Sequence, residues 1–100
     1  MPQNVRDALA KMRVEGAAWC TLEGQSLLLK SIGDVGALDP ADWNGWTVLC
    51  KTKKGLRVGI IVSRKQTARR PHLATPPGCF LSWKKILARV LLIDERESSS

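Results

Sequence analysis

The apolar positions change period along the chain, and each period predicts an element. Val5, Leu9 and Met12 recur at i, i+4 and i+7, which places them on one face of an amphipathic helix over 2–13. Pro2 or Asn4 opens that helix and Gly16 stops it; Asp7 near its start and Lys11 and Arg13 near its end suit the helix dipole. Residues 17–32 then read as a hairpin, in which Ala18-Trp19-Cys20-Thr21-Leu22 favours strand, Glu23-Gly24-Gln25 supplies the turn and Ser26-Leu27-Leu28-Leu29-Lys30 returns. The unbroken leucine run predicts a strand covered on both faces, or a central strand.

The next segments alternate turn chemistry with strand. Asp39 followed by Pro40 is an N-cap acid before a proline at the first helical position, which predicts one helical turn at 39–43, and Asn44-Gly45 is a turn dipeptide. Residues 46–63 form a second hairpin whose tip, Lys51-Thr52-Lys53-Lys54-Gly55, is basic. In its second strand Leu56, Val58, Ile60 and Val62 share one face and Arg57, Gly59, Ile61 and Ser63 the other. Both hairpins open with a tryptophan, a likeness any two hairpins can share. Residues 64–78 have no apolar period and contain three prolines, Pro71, Pro76 and Pro77, so they read as a long basic loop of the kind that tends to carry function. From Ser82 as N-cap, Trp83, Ile86, Leu87, Val90 and Leu91 fall into a helical stripe, which predicts a helix at 82–88; 89–94 fits helix or strand equally. The polar end 97–100 has nothing to bury and reads as a mobile tail.

These elements make one domain over 1–100 of the α+β class. A mostly antiparallel sheet of about four strands comes from the two hairpins, with an N-terminal helix and a C-terminal helical segment packed on one face. The other face and the basic loop are left as the working surface. A chain of 100 residues with 44% apolar content can bury one modest core. No stretch approaches the ~20 apolar residues of a membrane span and no apolar signal region opens the chain, so a soluble, cytoplasmic protein without membrane contact is expected. Cys20, Cys50 and Cys79 are odd in number, widely spaced and set among apolar neighbours, as buried reduced thiols would be.

Charge sharpens the reading. No Asp or Glu occurs from Trp43 to Ile93, whereas that stretch holds Lys51, Lys53, Lys54, Arg57, Arg64, Lys65, Arg69, Arg70, Lys84, Lys85 and Arg89. The first 42 residues are near neutral, so the net charge of +7 is concentrated in the second half. A field of one sign raises the local concentration of polyanions. The candidate binding residues are therefore Lys51, Lys53, Lys54 and Arg57 at the hairpin tip and Arg64, Lys65, Arg69 and Arg70 in the loop. The two groups are separated by one strand, about 25 Å at ~3.3 Å per residue, a span that meets several phosphates of a nucleic acid. Of the aromatics, Trp46 and Trp83 fit the core, and Trp43, beside Asn44-Gly45, is the candidate for an exposed stacking surface.

Catalytic chemistry has little to build on. His72 is the single histidine; it and Cys79 are the one nucleophile–base pairing available, and no third group orients them. No close cysteine pair marks a zinc site, and the carboxylates sit at turns and caps. The expectation is a non-enzymatic protein without cofactor or metal that binds DNA or RNA. The rival is a small accessory or inhibitor-like module, of the sort a phage or mobile element encodes, that grips an acidic surface of a larger protein. A third reading is self-assembly into a homodimer through an exposed edge strand such as 26–32.

Overall fold

The structure, a computed structural model, describes residues 1–33, 39–63, 71–74 and 82–94. Helix α1 spans Gln3–Glu15 and buries Val5, Ala8, Leu9 and Met12, the stripe the periodicity selects. It ends at Gly16, whose φ of 91° lets its N–H close back onto the Met12 carbonyl at 2.7 Å. The chain turns directly into β1 (Ala17–Leu22) and β2 (Gln25–Lys30), joined by Glu23-Gly24. Helix α2 (Pro40–Trp43) is the single turn expected, and the Asp39 carboxylate accepts the Ala41 N–H at 2.9 Å. Strands β3 (Thr47–Thr52) and β4 (Gly55–Val62) form the second hairpin.

The remaining elements correct the expected count and type. The sheet has six antiparallel strands in the order β1-β2-β6-β3-β4-β5, not about four. A two-residue strand, β5 (His72–Leu73), lies inside the segment read as a structureless loop and pairs with Ile61 and Val62. The loop's other parts, 64–70 and 75–78, and the tail 97–100 lie outside the described residues. The expected helix at 82–88 is a single 3-10 turn, Trp83–Lys85, followed by β6 (Ile86–Asp94). The undecided segment 89–94 is strand.

The physical reason is irregular register. Leu49 and Cys50 pair with Ala88 and Ile86, so Leu87 is an extra residue; Leu28 and Leu29 pair with Leu92 and Val90, so Leu91 is another. Each bulge breaks the strict alternation of a strand. The buried residues of β6, Ile86, Ala88 and Val90, alternate as in a strand, and the bulge residues Leu87 and Leu91 beside them complete the spacings of three and four that imitate a helical stripe.

Strand β6 joins the two hairpins, and the sheet carries a core on each face. Under α1 lie Ala18, Cys20, Leu27, Leu29, Leu49, Ala88 and Val90. The opposite face, over β3, β4 and β6, packs Trp43, Val48, Cys50, Ile61, Leu73 and Ile86. Strand β2 is covered on both edges by β1 and β6, which agrees with its leucine run and removes it as the exposed edge proposed for pairing between copies. Among the described residues no helix is long and apolar enough to cross a membrane.

Candidate functional site

The basic tip is built by one threonine and one glycine. Thr52 and Gly55 pair across the end of the hairpin and leave Lys53-Lys54 as its two-residue turn. The Thr52 hydroxyl donates to the Gly55 carbonyl at 3.0 Å and accepts the Lys54 N–H at 3.2 Å. Gly55 has a φ of 110°, a conformation that favours glycine and lets the chain re-enter the ladder after the turn. The tip is thus held by its own hydrogen bonds, and the lysine side chains are left to solvent.

Lys51, Lys53, Lys54 and Arg57 are all exposed, as the charge pattern requires. They do not form one flat face. Lys51 is paired opposite Leu56 on the α1 side, Arg57 is opposite Cys50 on the other side, and Lys53 and Lys54 project from the end. Arg64, Lys65, Arg69 and Arg70, the second half of the expected site, lie outside the described residues.

Two cations not placed in the site by sequence reasoning belong beside it. The register Cys50↔Ile86 sets the start of β6 against the tip end of β3, so the preceding 3-10 turn brings exposed Lys84 and Lys85 to the same end of the sheet. Ser82 fixes this turn: its hydroxyl accepts the Lys84 N–H at 3.3 Å, and its carbonyl the Lys85 N–H at 2.8 Å. Among the described residues Lys51, Lys53, Lys54, Lys84 and Lys85 make no ion pair with a carboxylate, whereas Lys11 pairs with Glu15 at 3.8 Å on α1.

Residues of the β1–β2 turn and of the tip line one cleft, although the register sets the two turns at opposite ends of the sheet. This cleft, of about 400 Å³, is lined by Leu22, Glu23, Gln25, Thr52, Lys54, Leu56, Arg57 and Val58. A second hollow of about 290 Å³ adjoins it, with Met1 and Pro2 at its edge and Lys51 and Lys54 among its lining. The floor is aliphatic, the tip-side rim is cationic, and Glu23 is the acid that lines both.

Other candidate chemistry finds no assembly among the described residues. Trp43, the expected stacking surface, is buried at 1% exposure and meets Trp83 edge-on, with centroids 5.2 Å apart and planes at 89°. It is the last residue of α2, which folds it onto the sheet instead of presenting it in a loop. Trp46 and Trp83 are half-buried against the same core, and the Arg89 guanidinium sits 4.4 Å from the centre of the Trp46 ring. Among the described residues the exposed aromatic is Trp19, at 51%, on the face of β1 away from α1.

Cys20 and Cys50 are buried and reduced. Burial pushes both thiols above their ordinary pKa, at Cys50 against a smaller lowering by Arg57, so neither is poised as a nucleophile. His72 is half-buried in β5, and Cys79 lies outside the described residues. No three of His, Cys, Asp and Glu among the described residues come together as metal ligands. No protein-family model, curated protein or solved structure matches the chain.

Proposed function

We propose that this chain is a small non-enzymatic nucleic-acid-binding protein that grips phosphates with the tip end of its sheet. The observation that carries this reading is the gathering of Lys51, Lys53, Lys54, Arg57, Lys84 and Lys85, all exposed, at one end of a rigid sheet. Six cations gathered with Glu23 as the acid beside them produce a net positive local field that attracts a polyanion and releases its counterions on contact. The contacts are to backbone phosphate, so affinity depends weakly on base sequence. The loop cations Arg64, Lys65, Arg69 and Arg70 extend the same surface in this proposal.

The test is fluorescence anisotropy with labelled single- and double-stranded DNA and RNA at about 50 and 200 mM salt. Six phosphate contacts give a salt slope of roughly −4 on a single strand and −5 on a duplex, which is a loss of about 10²–10³ in affinity over that range. A Lys53→Ala, Lys54→Ala pair lowers the slope by about 1.5, and a Lys84→Ala, Lys85→Ala pair lowers it similarly. Unchanged slopes in both pairs remove the tip end from the interface. Absence of binding at the lower salt sinks the nucleic-acid reading and turns the search to an acidic protein surface as the partner of the same cations.

A further inference from the structure

The sheet has two outer strands, and they are treated differently. On one side β5 is two residues long, and the stretch of β4 below it carries Arg57 between two glycines. Short edges and charged edges resist pairing with another chain. On the other side β1 is six residues, Ala-Ala-Trp-Cys-Thr-Leu, with no charge, no proline and an uninterrupted register against β2. The protection present there is partial: α1 reaches the edge at Thr21 through Asn4.

The turn at its end fixes which backbone groups face outward. Glu23 and Gly24 both have positive φ, 50° and 80°, as in a two-residue type I′ turn, so the flanking pair Leu22↔Gln25 is hydrogen-bonded. By alternation Leu22, Cys20 and Ala18 bond to β2, and Ala17, Trp19 and Thr21 direct N–H and C=O away from the sheet. An independent contact agrees: the Thr21 N–H donates outward to the Asn4 side-chain oxygen of α1 at 2.9 Å. Asn4 closes that one donor. No described group takes the N–H or C=O of Ala17 or Trp19.

The side chains over this edge are apolar as well. The register Trp19↔Leu28↔Leu92 lines these three in a row across β1, β2 and β6, on the face α1 leaves bare. Trp19 is 51% exposed and Leu92 57%. An aromatic of this size left half in water beside a leucine of the same row is the pattern of an association surface rather than of scattered surface apolars.

We infer that β1 pairs antiparallel with β1 of a second copy about a two-fold axis through Trp19. An antiparallel edge is self-complementary: the outward Trp19 N–H and C=O of each copy bond to those of the other, and each Ala17 N–H bonds the opposite Thr21 carbonyl. The two tryptophans become a cross-strand pair, and the row runs Leu92, Leu28, Trp19, then Trp19, Leu28, Leu92 of the second copy. Because β1 carries no charge, this register sets no like charges opposite one another. The pairing edge and the basic tip belong to different hairpins, and the outward groups at Ala17 and Trp19 lie outside the cleft that the β1–β2 turn shares with the tip.

The test is sedimentation equilibrium of the wild type from low to high micromolar concentration, with amide exchange followed over the same range. The expected result is a mass rising to two chains, with the Ala17 and Trp19 amides becoming protected in step and the Thr21 amide protected throughout by Asn4. Ala17→Pro deletes an outward donor while leaving the β1–β2 ladder intact, and weakens dimerisation ten-fold or more; Trp19→Lys gives a folded monomer. A single-chain mass at every concentration overturns the inference. So does a dimer in which the Ala17 and Trp19 amides exchange independently of concentration, a result that needs no variant to fold.

Discussion

Trp43 gives the sharpest check on the second core. The side chain is 1% exposed and packs in the cluster with Val48, Cys50, Ile61, Leu73 and Ile86, edge-on to Trp83. A buried tryptophan removes about 150–250 Å² from water, and at ~25 cal/mol per Å², less the share alanine keeps, Trp43→Ala forfeits roughly 4 kcal/mol. The measured range for such truncations is about 3–5 kcal/mol, which includes the unfilled cavity and the lost aromatic contact. A domain of this size has only about 5–15 kcal/mol of stability, so the variant stands near half-stability or worse. Its melting temperature falls by about 15–30 °C. Urea denaturation followed by far-ultraviolet circular dichroism measures this directly, with Trp43→Phe as the control that keeps most of the volume. A loss below ~1 kcal/mol, the range of exposed positions, would refute the buried placement and restore Trp43 as a surface aromatic.

Two further outcomes follow from close contacts and buried thiols. A Cβ added at Gly59 meets the Leu73 Cδ2 atom at 2.8 Å, and Leu73 is itself 2% exposed, so Gly59→Ala costs about 1–3 kcal/mol by overpacking; unchanged stability in urea contradicts this approach of β4 to β5. The thiols of Cys20 and Cys50 are raised by burial, so both are neutral in either state at low pH and ionise first in the unfolded chain. Their contribution to stability is full below the unfolded thiol value of ~8.5 and is lost as pH rises towards the folded one. Melting curves from pH 7 to 10 should therefore fall less steeply in a Cys20→Ala, Cys50→Ala variant than in the wild type, and parallel curves would contradict the burial assignment.

The elements with local signals were legible in the sequence. Helix α1 announces itself by Val5, Leu9, Met12 and Gly16, α2 by Asp39-Pro40, and both hairpins by glycine turns between apolar runs. Strand β6 was not legible, because the bulge residues Leu87 and Leu91 add apolar positions that complete a helical spacing over the alternation of Ile86, Ala88 and Val90. A bulge is decided by the neighbouring strands, which a local pattern does not contain. Trp43 misled for a similar reason: Asn44-Gly45 correctly marks a turn, but the capped helical turn before it folds the indole under the turn. In the site, the tip lysines were legible as a charged turn closed by Gly55. Lys84 and Lys85 were visible as charge but not as neighbours, since their position depends on the Cys50↔Ile86 register.

That register also decides how the domain holds together. The β1–β2 hairpin with α1 and the β3–β4 hairpin with α2 are each local in sequence, yet in the sheet they are neighbours only through β6. Strand β6 arrives last in the chain and bonds to both, pairing with Lys30 and Val48 through a single residue, Arg89. Its loop-closure cost falls on contacts about sixty residues or more apart, between β2 and β6. The cleft beside the tip and the grouping of Lys84 and Lys85 with Lys51, Lys53 and Lys54 thus exist only once β6 is seated. The basic end of the sheet is a property of the finished fold, although its charges are written in two separate stretches of the chain.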